Sequence, residues 1–222
     1  MVSFKEEKKL LKSDFQFIVG LDEAGRGPLA GPVVAAAVAV KDHTKHAYLS
    51  KVFLGIKDSK KLSEAKREIM YQLAIRNPWI DFGIGIISEK IIDRINIFKA
   101  TKLAMKQALE NLIKKNGKSI AIDCLIIDGN FTLDNLKQGS IVQKSIIKAD
   151  EKVFSCVLAG IVAKVTRDRI MKKYDKKYPH YGFNQHKGYG TLLHREKIEQ
   201  YGFCRIHRKT FQPIKDAILL NP

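Results

Sequence analysis

The chain has 222 residues, of which 45% are hydrophobic and 28% are charged, a composition typical of a globular protein and not of a disordered or collagen-like chain. Its 40 basic and 23 acidic residues give a net charge of +17, which favours a polyanionic partner such as nucleic acid or an anionic membrane surface. The length favours one well-packed domain over two large ones.

The N-terminus, the longest low-charge run and the cysteines indicate in which cellular compartment the protein works. Residues 1–12 are charged and lack the apolar stretch of a secretory signal. The longest low-charge run, residues 27–40, is broken by glycine and proline and is too short to span a bilayer. The three cysteines form no CxxC pair, which argues against a disulfide framework or a zinc knuckle. We expect a cytoplasmic protein with a single domain over residues 1–222, residues 1–15 being an N-terminal extension and 214–222 a C-terminal tail.

The N-terminal half predicts alternating strands and helices. Strands are predicted at residues 17–21, 33–40 and 80–87, and helices at residues 63–76 and 96–115. The strand segments are β-branched or alanine-rich runs, and Ser63 is a typical N-cap for the first helix. The segment DEAGRGPLAGP separates the first two strands, and its glycines and prolines indicate a turn.

The C-terminal half continues the same alternation. Residues 121–127 are apolar except for Asp123 and are followed by Asp128-Gly129, which suits a buried parallel strand, and residues 141–147 predict the next strand. Asp150 is expected to open a long helix that runs to about residue 176, because apolar residues recur there every four positions. A shorter helix is predicted at residues 191–200. Strands mixed with helices in this way predict an α/β domain.

Four acidic residues lie where a predicted element begins or ends: Asp22, Glu23, Asp128 and Asp150. Open α/β sheets place their sites at strand ends, and carboxylates clustered there repel one another unless cations neutralise them. Oxygen ligands without histidine or cysteine select Mg²⁺ or Mn²⁺. Two such ions about 4 Å apart can activate a water and stabilise the leaving oxygen of a phosphodiester. A basic chain with an acidic metal pocket has the charge pattern that a nuclease requires.

Each of these acids also has a purely structural interpretation. Neighbouring residues on a regular strand point to opposite faces, so Asp22 and Glu23 can share a pocket only if the strand ends or twists there. The glycines that follow make such a change of direction feasible. Asp150 could be the N-cap of the next helix, and Asp128 could be a turn former. The residues taken singly leave these alternatives open.

Eight short motifs follow one another along the chain. They are GLDEAGRGPLAGPVVAAAV (residues 20–38), DSKKLSEAKR (58–67), NIFKATKLAM (96–105), IIDGN (126–130), KAD (148–150), IVAKVTRDR (161–169), HKGYGT (186–191) and HRKTFQP (207–213). In this order they resemble the ribonuclease HII family. The resemblance implies a ribonuclease H-like α/β fold, with a central mixed β-sheet flanked by helices and a C-terminal helical part. It also implies an endonuclease that hydrolyses the RNA strand of RNA/DNA hybrids and cuts 5′ of a single ribonucleotide in duplex DNA, leaving 3′-hydroxyl and 5′-phosphate ends.

The resemblance assigns roles to individual residues. The same four carboxylates would be the catalytic metal ligands, holding two Mg²⁺ or Mn²⁺ ions when substrate is bound. The backbone of Gly25, Arg26 and Gly27 would read the 2′-hydroxyl, the group that distinguishes RNA from DNA. Tyr189 would stack on the sugar next to the junction. Basic residues expected to contact phosphates without reading sequence are Lys60, Lys61, Lys148, Lys164, Arg167 and Lys187.

Two residues depart from the family pattern. Ala149 stands where glycine is common, and Gly160 stands where serine is common. Since neither position supplies a metal ligand, we expect these departures to affect packing and substrate fit more than the chemistry. The related HIII type has a different opening motif and an extra N-terminal domain, for which residues 1–15 leave no room, so the HII type is preferred.

Other functions can be weighed against this one. The main alternative is a noncatalytic module that binds RNA/DNA hybrids, and metal-dependent cleavage would discriminate between the two. A nucleotide-binding loop at GRGPLAG is disfavoured, because the GxxxxGK[ST] string is missing and Pro28 interrupts the turn. The histidines at 180, 186, 194 and 207 lack zinc-site spacing, and surface or phosphate-contact roles are expected for them. We expect a monomer without a membrane partner that acts on RNA/DNA hybrids and on ribonucleotide-containing duplex DNA.

Overall fold

A mixed β-sheet forms the centre of the computed structural model, which describes residues 3–56, 62–115, 121–136 and 141–216. The strands are β1 (Ile18–Ala24), β2 (Val33–Val40), β3 (Ile80–Ile87), β4 (Cys124–Asp128) and β5 (Val142–Ile146). Their order across the sheet is β3-β2-β1-β4-β5. Strands β1, β2 and β3 pair antiparallel, whereas β4 pairs parallel with both β1 and β5. The carboxyl ends of β1 and β4 therefore meet at one edge of the sheet.

Helices cover both faces of this sheet. The α-helices among the described residues are α1 (Lys5–Leu11), α2 (His46–Val52), α3 (Glu64–Arg76), α4 (Glu89–Ile95), α5 (Ile97–Lys115), α6 (Phe154–Lys177), α7 (Phe183–His186) and α8 (Leu192–Tyr201). Alternate residues of β2 enter two cores, with Val34 and Ala36 packed on the α6 side and Val33 and Ala35 on the α5 side. A strand buried on both faces explains the continuous apolar run in this part of the sequence. The expected mixed sheet flanked by helices is confirmed.

The C-terminal helical part packs against the loop between β1 and β2. Its core is built around Phe183, which is fully buried, and includes Ile198 and Ile206. Leu29 and Ala30 of the loop after β1 belong to the same core. The loop with the GRG sequence is thereby held between the sheet and the C-terminal segment. Within the described ranges, no helix is both long and apolar enough to cross a membrane.

Several predicted elements agree closely with the structure. Strands β2 and β3 have the predicted bounds, and Ser63 caps α3 by accepting a hydrogen bond from the Lys66 backbone N–H at 3.3 Å. The short helices α1, α2 and α4 are absent from the predictions, since a helix of seven residues gives little periodic signal. Strand β1 runs on to Ala24, three residues beyond its predicted end.

The prediction that Asp150 opens the long helix is wrong. A 3₁₀ turn at Ala149–Glu151 precedes the helix, and α6 begins at Phe154 with Val153 as its N-cap. The interpretation of Asp150 as a helix cap is therefore excluded. This carboxylate belongs to a tight turn that lies beside the end of β4, because the Ala149 backbone N–H donates a hydrogen bond to Asp128 Oδ1 at 2.8 Å.

Candidate active site

Three aspartates converge at the edge of the sheet where β1 and β4 end. One carboxylate oxygen each from Asp22, Asp128 and Asp150 lies within 4.8 Å of the other two. Asp22 lies on β1, and Asp128 is the last residue of β4, so the parallel pairing of these strands brings the two side chains to one edge. Asp150 reaches the same point from the turn before α6. Residues separated by up to 128 positions in sequence thus form one acidic cluster.

Glu23 lies beside this cluster. Its position shows how two neighbouring residues of one strand, Asp22 and Glu23, can line the same cleft. Strand β1 does not end at Asp22, but its pairing with β4 stops at Leu21. The strand then ends at Ala24, directly after Glu23, and both acidic side chains line the same cleft. Glu23 is not part of the 4.8 Å set of ligand atoms. Its Oε1 accepts a hydrogen bond from Arg26 at 3.3 Å, whereas Oε2 is buried without a hydrogen-bond partner among the described residues.

The charged forms of these acids are costly in the absence of a cation. Asp22 is only 7% exposed. Its burial, followed by the negative charges of Glu23, Asp128 and Asp150, raises its pKa well above the ordinary value. Burial also raises the pKa of Glu23 to about 7, although the neighbouring Arg26 opposes this shift. Buried carboxylate oxygens that repel one another are a donor set that fits a hard divalent cation.

A cleft of about 380 Å³ opens onto the acidic cluster. Asp22, Glu23 and Asp150 line it. The other lining residues are Ala24, Gly25, Arg26, Gly27, Arg67, Gly160, Ile161, Lys164 and Tyr189. The cleft therefore combines carboxylates that suit a cation with basic side chains that suit a phosphate.

Gly160 affects the acidic cluster directly. A Cβ atom at this position would lie 2.3 Å from Asp22 Oδ2, closer than van der Waals contact allows. The observed position of the Asp22 carboxylate therefore requires glycine at 160. The packing effect expected of this departure from the family pattern therefore falls on a candidate metal ligand.

Arg208 fixes the backbone of the GRG loop. Its fully buried guanidinium donates to the carbonyl oxygens of Gly25 at 2.6 Å and Arg26 at 2.8 Å. Two further hydrogen bonds, at 2.9 and 3.0 Å, go to the carbonyl oxygen of Gly31. All these acceptors are main-chain atoms. Arg208 therefore fixes the backbone conformation of the loop independently of the side chains in the loop.

Arg167 makes a second set of such contacts, from helix α6. It donates to the carbonyl oxygens of Ala30, Pro32 and Lys187, each at 3.0 Å. The side chain is fully buried, so the prediction that Arg167 contacts phosphate is wrong. A Cβ atom at Gly25, where φ is +98°, would lie 2.1 Å from Arg167 Nε. Glycine is thus needed at 25 both for its backbone conformation and for the close approach of this arginine.

Tyr189 and Lys164 face the cleft together. The Tyr189 side chain is 42% exposed, and Lys164 Nζ lies 5.7 Å from the centre of its ring. Lys164 also forms an ion pair with Asp168 at 2.8 Å. An exposed ring beside a basic group is suited to stacking on a sugar or base next to a phosphate.

The other lysines predicted to contact phosphate are placed differently. Lys187 does not line the cleft, since its buried ammonium group binds Glu64 at 3.3 Å and the carbonyl oxygen of Asn184. Lys148 is exposed and has a left-handed backbone with φ of +60°, two residues before Asp150. Lys60 and Lys61 lie outside the described residues. Of the predicted lysines that the structure describes, Lys164 is the one that lines the cleft.

A pair of buried histidines forms a chain of hydrogen bonds to the loop that carries Tyr189, which we call the Tyr189 loop. His207 Nδ1 accepts a hydrogen bond from the Cys204 N–H at 2.8 Å, so its Nε2–H can donate to His194 Nε2 at 3.0 Å. The Nδ1–H of His194 then donates to the Tyr189 carbonyl oxygen at 2.9 Å. This chain of hydrogen bonds requires both rings to be neutral. Surface and phosphate-contact roles are wrong for both of them and for the buried His186, which stacks on His194 at 4.3 Å.

These histidines are expected to make the fold sensitive to acid. Burial lowers the pKa of His194 to about 3 and that of His207 to about 4, whereas both rings titrate near 6.5 in the unfolded chain. Below pH 6.5 the unfolded state binds protons that the folded state excludes. Each histidine therefore reduces the free energy of unfolding by up to about 1.4 kcal/mol per pH unit as the pH falls towards 4.

Chemical unfolding of His194→Gln and wild type at several pH values measures this effect. The difference in unfolding free energy between them should shrink from pH 7 to pH 4. His180→Gln, which replaces an exposed histidine, is the matched control. A difference that stays constant for His194→Gln over this range would contradict the account.

Neither Arg67 nor Arg208 is among the site residues predicted from the sequence. Arg67 belongs to the motif DSKKLSEAKR and Arg208 to the motif HRKTFQP. The resemblance therefore covers both arginines, but it assigned neither of them a function. Arg67 lines the cleft and donates a hydrogen bond to the Leu62 carbonyl oxygen. Arg208 lies behind the cleft and acts only on the main chain.

Comparisons with known proteins agree with this arrangement. The family model described as Ribonuclease HII matches residues 19–214. A Ribonuclease HII of Bacillus cytotoxicus is 50% identical over 214 residues, covering 96% of this chain and 75% of that relative. The crystal structure of ribonuclease H2 from Pyrococcus horikoshii has a TM-score of 0.70 and 27% identity, covering 90% of this chain and 96% of that chain. A structure of Bst-RNase HIII in complex with Mn²⁺ shares the fold, with a TM-score of 0.69 at 18% identity over 92% of this chain and 70% of that one.

These matches decide between the interpretations that the sequence left open. The family model spans the three aspartates, the GRG loop and the Tyr189 loop, and the expected ribonuclease H-like fold is confirmed by the solved structures. The family consists of divalent-metal-dependent enzymes that act on RNA/DNA substrates, which excludes the noncatalytic hybrid-binding module. The chain belongs to the ribonuclease HII family and is a metal-dependent endoribonuclease.

Proposed function

We propose that this enzyme cuts duplex DNA on the 5′ side of an embedded ribonucleotide, as well as the RNA strand of RNA/DNA hybrids, and leaves 3′-hydroxyl and 5′-phosphate ends. One observation carries the proposal: Asp22 and Asp150, which lie within 4.8 Å of each other and of Asp128, line the same cleft as a glycine-rich loop with a fixed backbone. The first feature suits phosphodiester hydrolysis, and the second suits recognition of a 2′-hydroxyl.

Asp22, Asp128 and Asp150 would hold the metal, and Glu23 would contribute its buried, unpartnered Oε2. We propose Mg²⁺ or Mn²⁺, with two ions bound when substrate is present, because all four donors are hard oxygen atoms. When bound, such ions lower the pKa of a water molecule and stabilise the leaving oxygen. The four side chains would hold these ions and thereby determine where in the cleft the chemistry occurs.

The cleft residues would orient the substrate around that point. The main chain of Gly25, Arg26 and Gly27, fixed by Arg208, would form hydrogen bonds with the 2′-hydroxyl. Tyr189 would stack on the neighbouring sugar, and Lys164 would contact a phosphate. Lys148, exposed beside the Asp150 turn, would contact the backbone further along. In this proposal Lys187 acts through its carbonyl oxygen on Arg167 and not on phosphate.

A cleavage assay on a duplex with one central ribonucleotide tests this function. With Mg²⁺ or Mn²⁺, we expect one cut, immediately 5′ of the ribonucleotide, with a 3′-hydroxyl on the upstream fragment. An all-DNA duplex of the same sequence is the control and should remain intact. A cut elsewhere, or equal cutting of the all-DNA duplex, would exclude recognition of the 2′-hydroxyl.

Tyr189→Ala is expected to reduce kcat/KM for the single-ribonucleotide duplex about tenfold, whereas Tyr189→Phe should stay within about twofold of wild type. Stacking of an aromatic ring on a nucleotide contributes about 1–3 kcal/mol, and phenylalanine preserves the ring. The exposed Tyr201→Ala is a matched control, since it removes the same side chain from helix α8. Equal rates for Tyr189→Ala and Tyr201→Ala would refute the stacking role.

The proposal also includes the location, the oligomeric state and the biological role of the enzyme. We propose a cytoplasmic monomer with one catalytic domain over residues 1–222 that removes misincorporated ribonucleotides and helps to clear RNA primers. The net charge of +17 supports a nucleic-acid partner. Sedimentation of the purified enzyme with and without a short hybrid duplex tests the monomeric state.

A further inference from the structure

The N-terminal segment is joined to the catalytic side of the molecule. Ser3 forms a parallel bridge with Val153, since the Ser3 N–H donates to the Lys152 carbonyl oxygen at 3.1 Å and the Ser3 carbonyl oxygen accepts from the Phe154 N–H at 3.3 Å. The Phe4 ring packs against the Phe154 ring, with the two ring centres 4.2 Å apart and the planes tilted by 32°. Residues 3 and 4 therefore clamp the short link between the Asp150 turn and helix α6.

Helix α1 adds a buried carboxylate at the same place. Glu7 is 4% exposed, and its Oε1 accepts hydrogen bonds from the backbone N–H and the side-chain hydroxyl of Ser155, both at 3.0 Å. Ser155 is the second residue of α6, which has no side-chain cap from its own N-cap residue. Glu7 thus satisfies one of the open N–H groups at the N-terminus of a 24-residue helix.

Ser155 lies between the contact with Glu7 and the two chain segments that carry Asp150 and Asp22. It follows Asp150 by five residues, and the intervening turn is closed by hydrogen bonds from the Lys152 and Val153 N–H groups to the Ala149 carbonyl oxygen. On its other side Ser155 lies against β1, where a Cβ atom at Gly20 would be 2.6 Å from Ser155 Oγ. Gly20 precedes Asp22 by two residues on the same face of that strand.

We propose that Glu7 is a positioning residue for the metal site, because its carboxylate holds the first turn of α6 and thereby fixes Asp150 relative to Asp22. This inference rests on the proposed metal site and extends it to a helix that the resemblance leaves without a role. Glu7 lies behind the turn and does not line the cleft. It acts through Ser155 and the turn Ala149–Glu151 and not by touching the metal.

Four variants separate this role from general destabilisation. Glu7→Ala removes the acceptor, whereas Glu7→Gln keeps an oxygen that can accept both hydrogen bonds from Ser155. Glu6→Ala removes a carboxylate from the same helix, but from a side chain that pairs with Lys9 at the surface. Leu112→Ala, on helix α5 across the sheet, lowers global stability without touching α1.

Two measurements read out the position of the turn. Hydrogen exchange of the metal-free variants should be at least tenfold faster at residues 149–155 in Glu7→Ala, with β2 and β3 unchanged. Calorimetric titration with Mn²⁺ should give a dissociation constant about tenfold higher for Glu7→Ala, the scale seen when a residue supporting a metal ligand is removed. Glu7→Gln and Glu6→Ala should match wild type in both. Leu112→Ala should not accelerate exchange selectively at residues 149–155.

The outcomes separate this inference from the proposed function. If Glu7→Ala exchanges at residues 149–155 as slowly as Glu6→Ala, Glu7 does not position the turn. If wild type binds Mn²⁺ and Glu7→Ala binds it equally well, the effect on the metal site is excluded. If wild type itself binds no Mn²⁺, both the proposed metal site and the role of Glu7 towards it are wrong, while the exchange data still show whether Glu7 holds the turn.

Discussion

We expect the Asp128→Asn variant to lose cleavage of a single-ribonucleotide duplex by about a thousandfold or more. Asparagine keeps the Oδ1 acceptor for the Ala149 N–H, so the turn that carries Asp150 should stay in place. What is lost is one negatively charged oxygen donor. Metal ions contribute several kcal/mol to stabilisation of the transition state, and about 1.4 kcal/mol corresponds to a factor of ten in rate. Asp22→Asn should behave in the same way.

Single-turnover cleavage and hybrid binding, measured together, check this prediction. Binding of a hybrid duplex should be largely retained, because the groups expected to contact phosphates are untouched. Asp134→Asn is the matched control, since this exposed aspartate pairs only with Lys102 among the contacts described for it. A wild-type rate for Asp128→Asn or Asp22→Asn would show that the carboxylates are not the metal ligands.

The second large effect is expected for Arg208→Lys. An ammonium group has one nitrogen and cannot reproduce the four hydrogen bonds that Arg208 makes to Gly25, Arg26 and Gly31. Buried carbonyl groups left without a donor cost about 1–3 kcal/mol each. We therefore expect a loss of about 3 kcal/mol in unfolding free energy and a fall in Tm of about 10 °C.

The same substitution should also impair recognition of the ribonucleotide. At a temperature where the variant is folded, kcat/KM for the single-ribonucleotide duplex should fall at least tenfold, because the loop that would read the 2′-hydroxyl loses its fixed course. Arg205→Lys, an exposed neighbour, is the control and should change neither value. An Arg208→Lys enzyme with unchanged Tm and rate would mean that the loop is held by other contacts.

The strands and the acidic residues could be predicted from the sequence because their signals are local. The continuous apolar run of β2 and the run before Asp128 reflect strands buried on both faces. The motifs around Asp22 and Asp150 resemble a known family, which identified the same acids as the arguments from strand ends did. That these acids share a pocket could not be derived from strand periodicity, since it depends on where the pairing of β1 with β4 stops.

The supporting contacts could not be predicted, for a physical reason. Arginine is rarely buried, so a sequence gives no sign that Arg208 binds carbonyl groups 177 to 183 residues away. Glu7 lies in a short helix of mostly charged residues, typical of a solvated surface segment. Its contact with Ser155 spans 148 residues. Long-range polar contacts of this kind leave no periodic pattern in a single sequence.

The metal site can be tested directly by anomalous X-ray diffraction from crystals of the enzyme soaked in MnCl₂. The account predicts an anomalous peak from a Mn²⁺ ion bound by carboxylate oxygens of Asp22, Asp128 and Asp150. This peak should disappear in Asp128→Asn crystals soaked in the same way. A map with no peak among these three side chains, or with the same peak in the Asp128→Asn crystals, would contradict it.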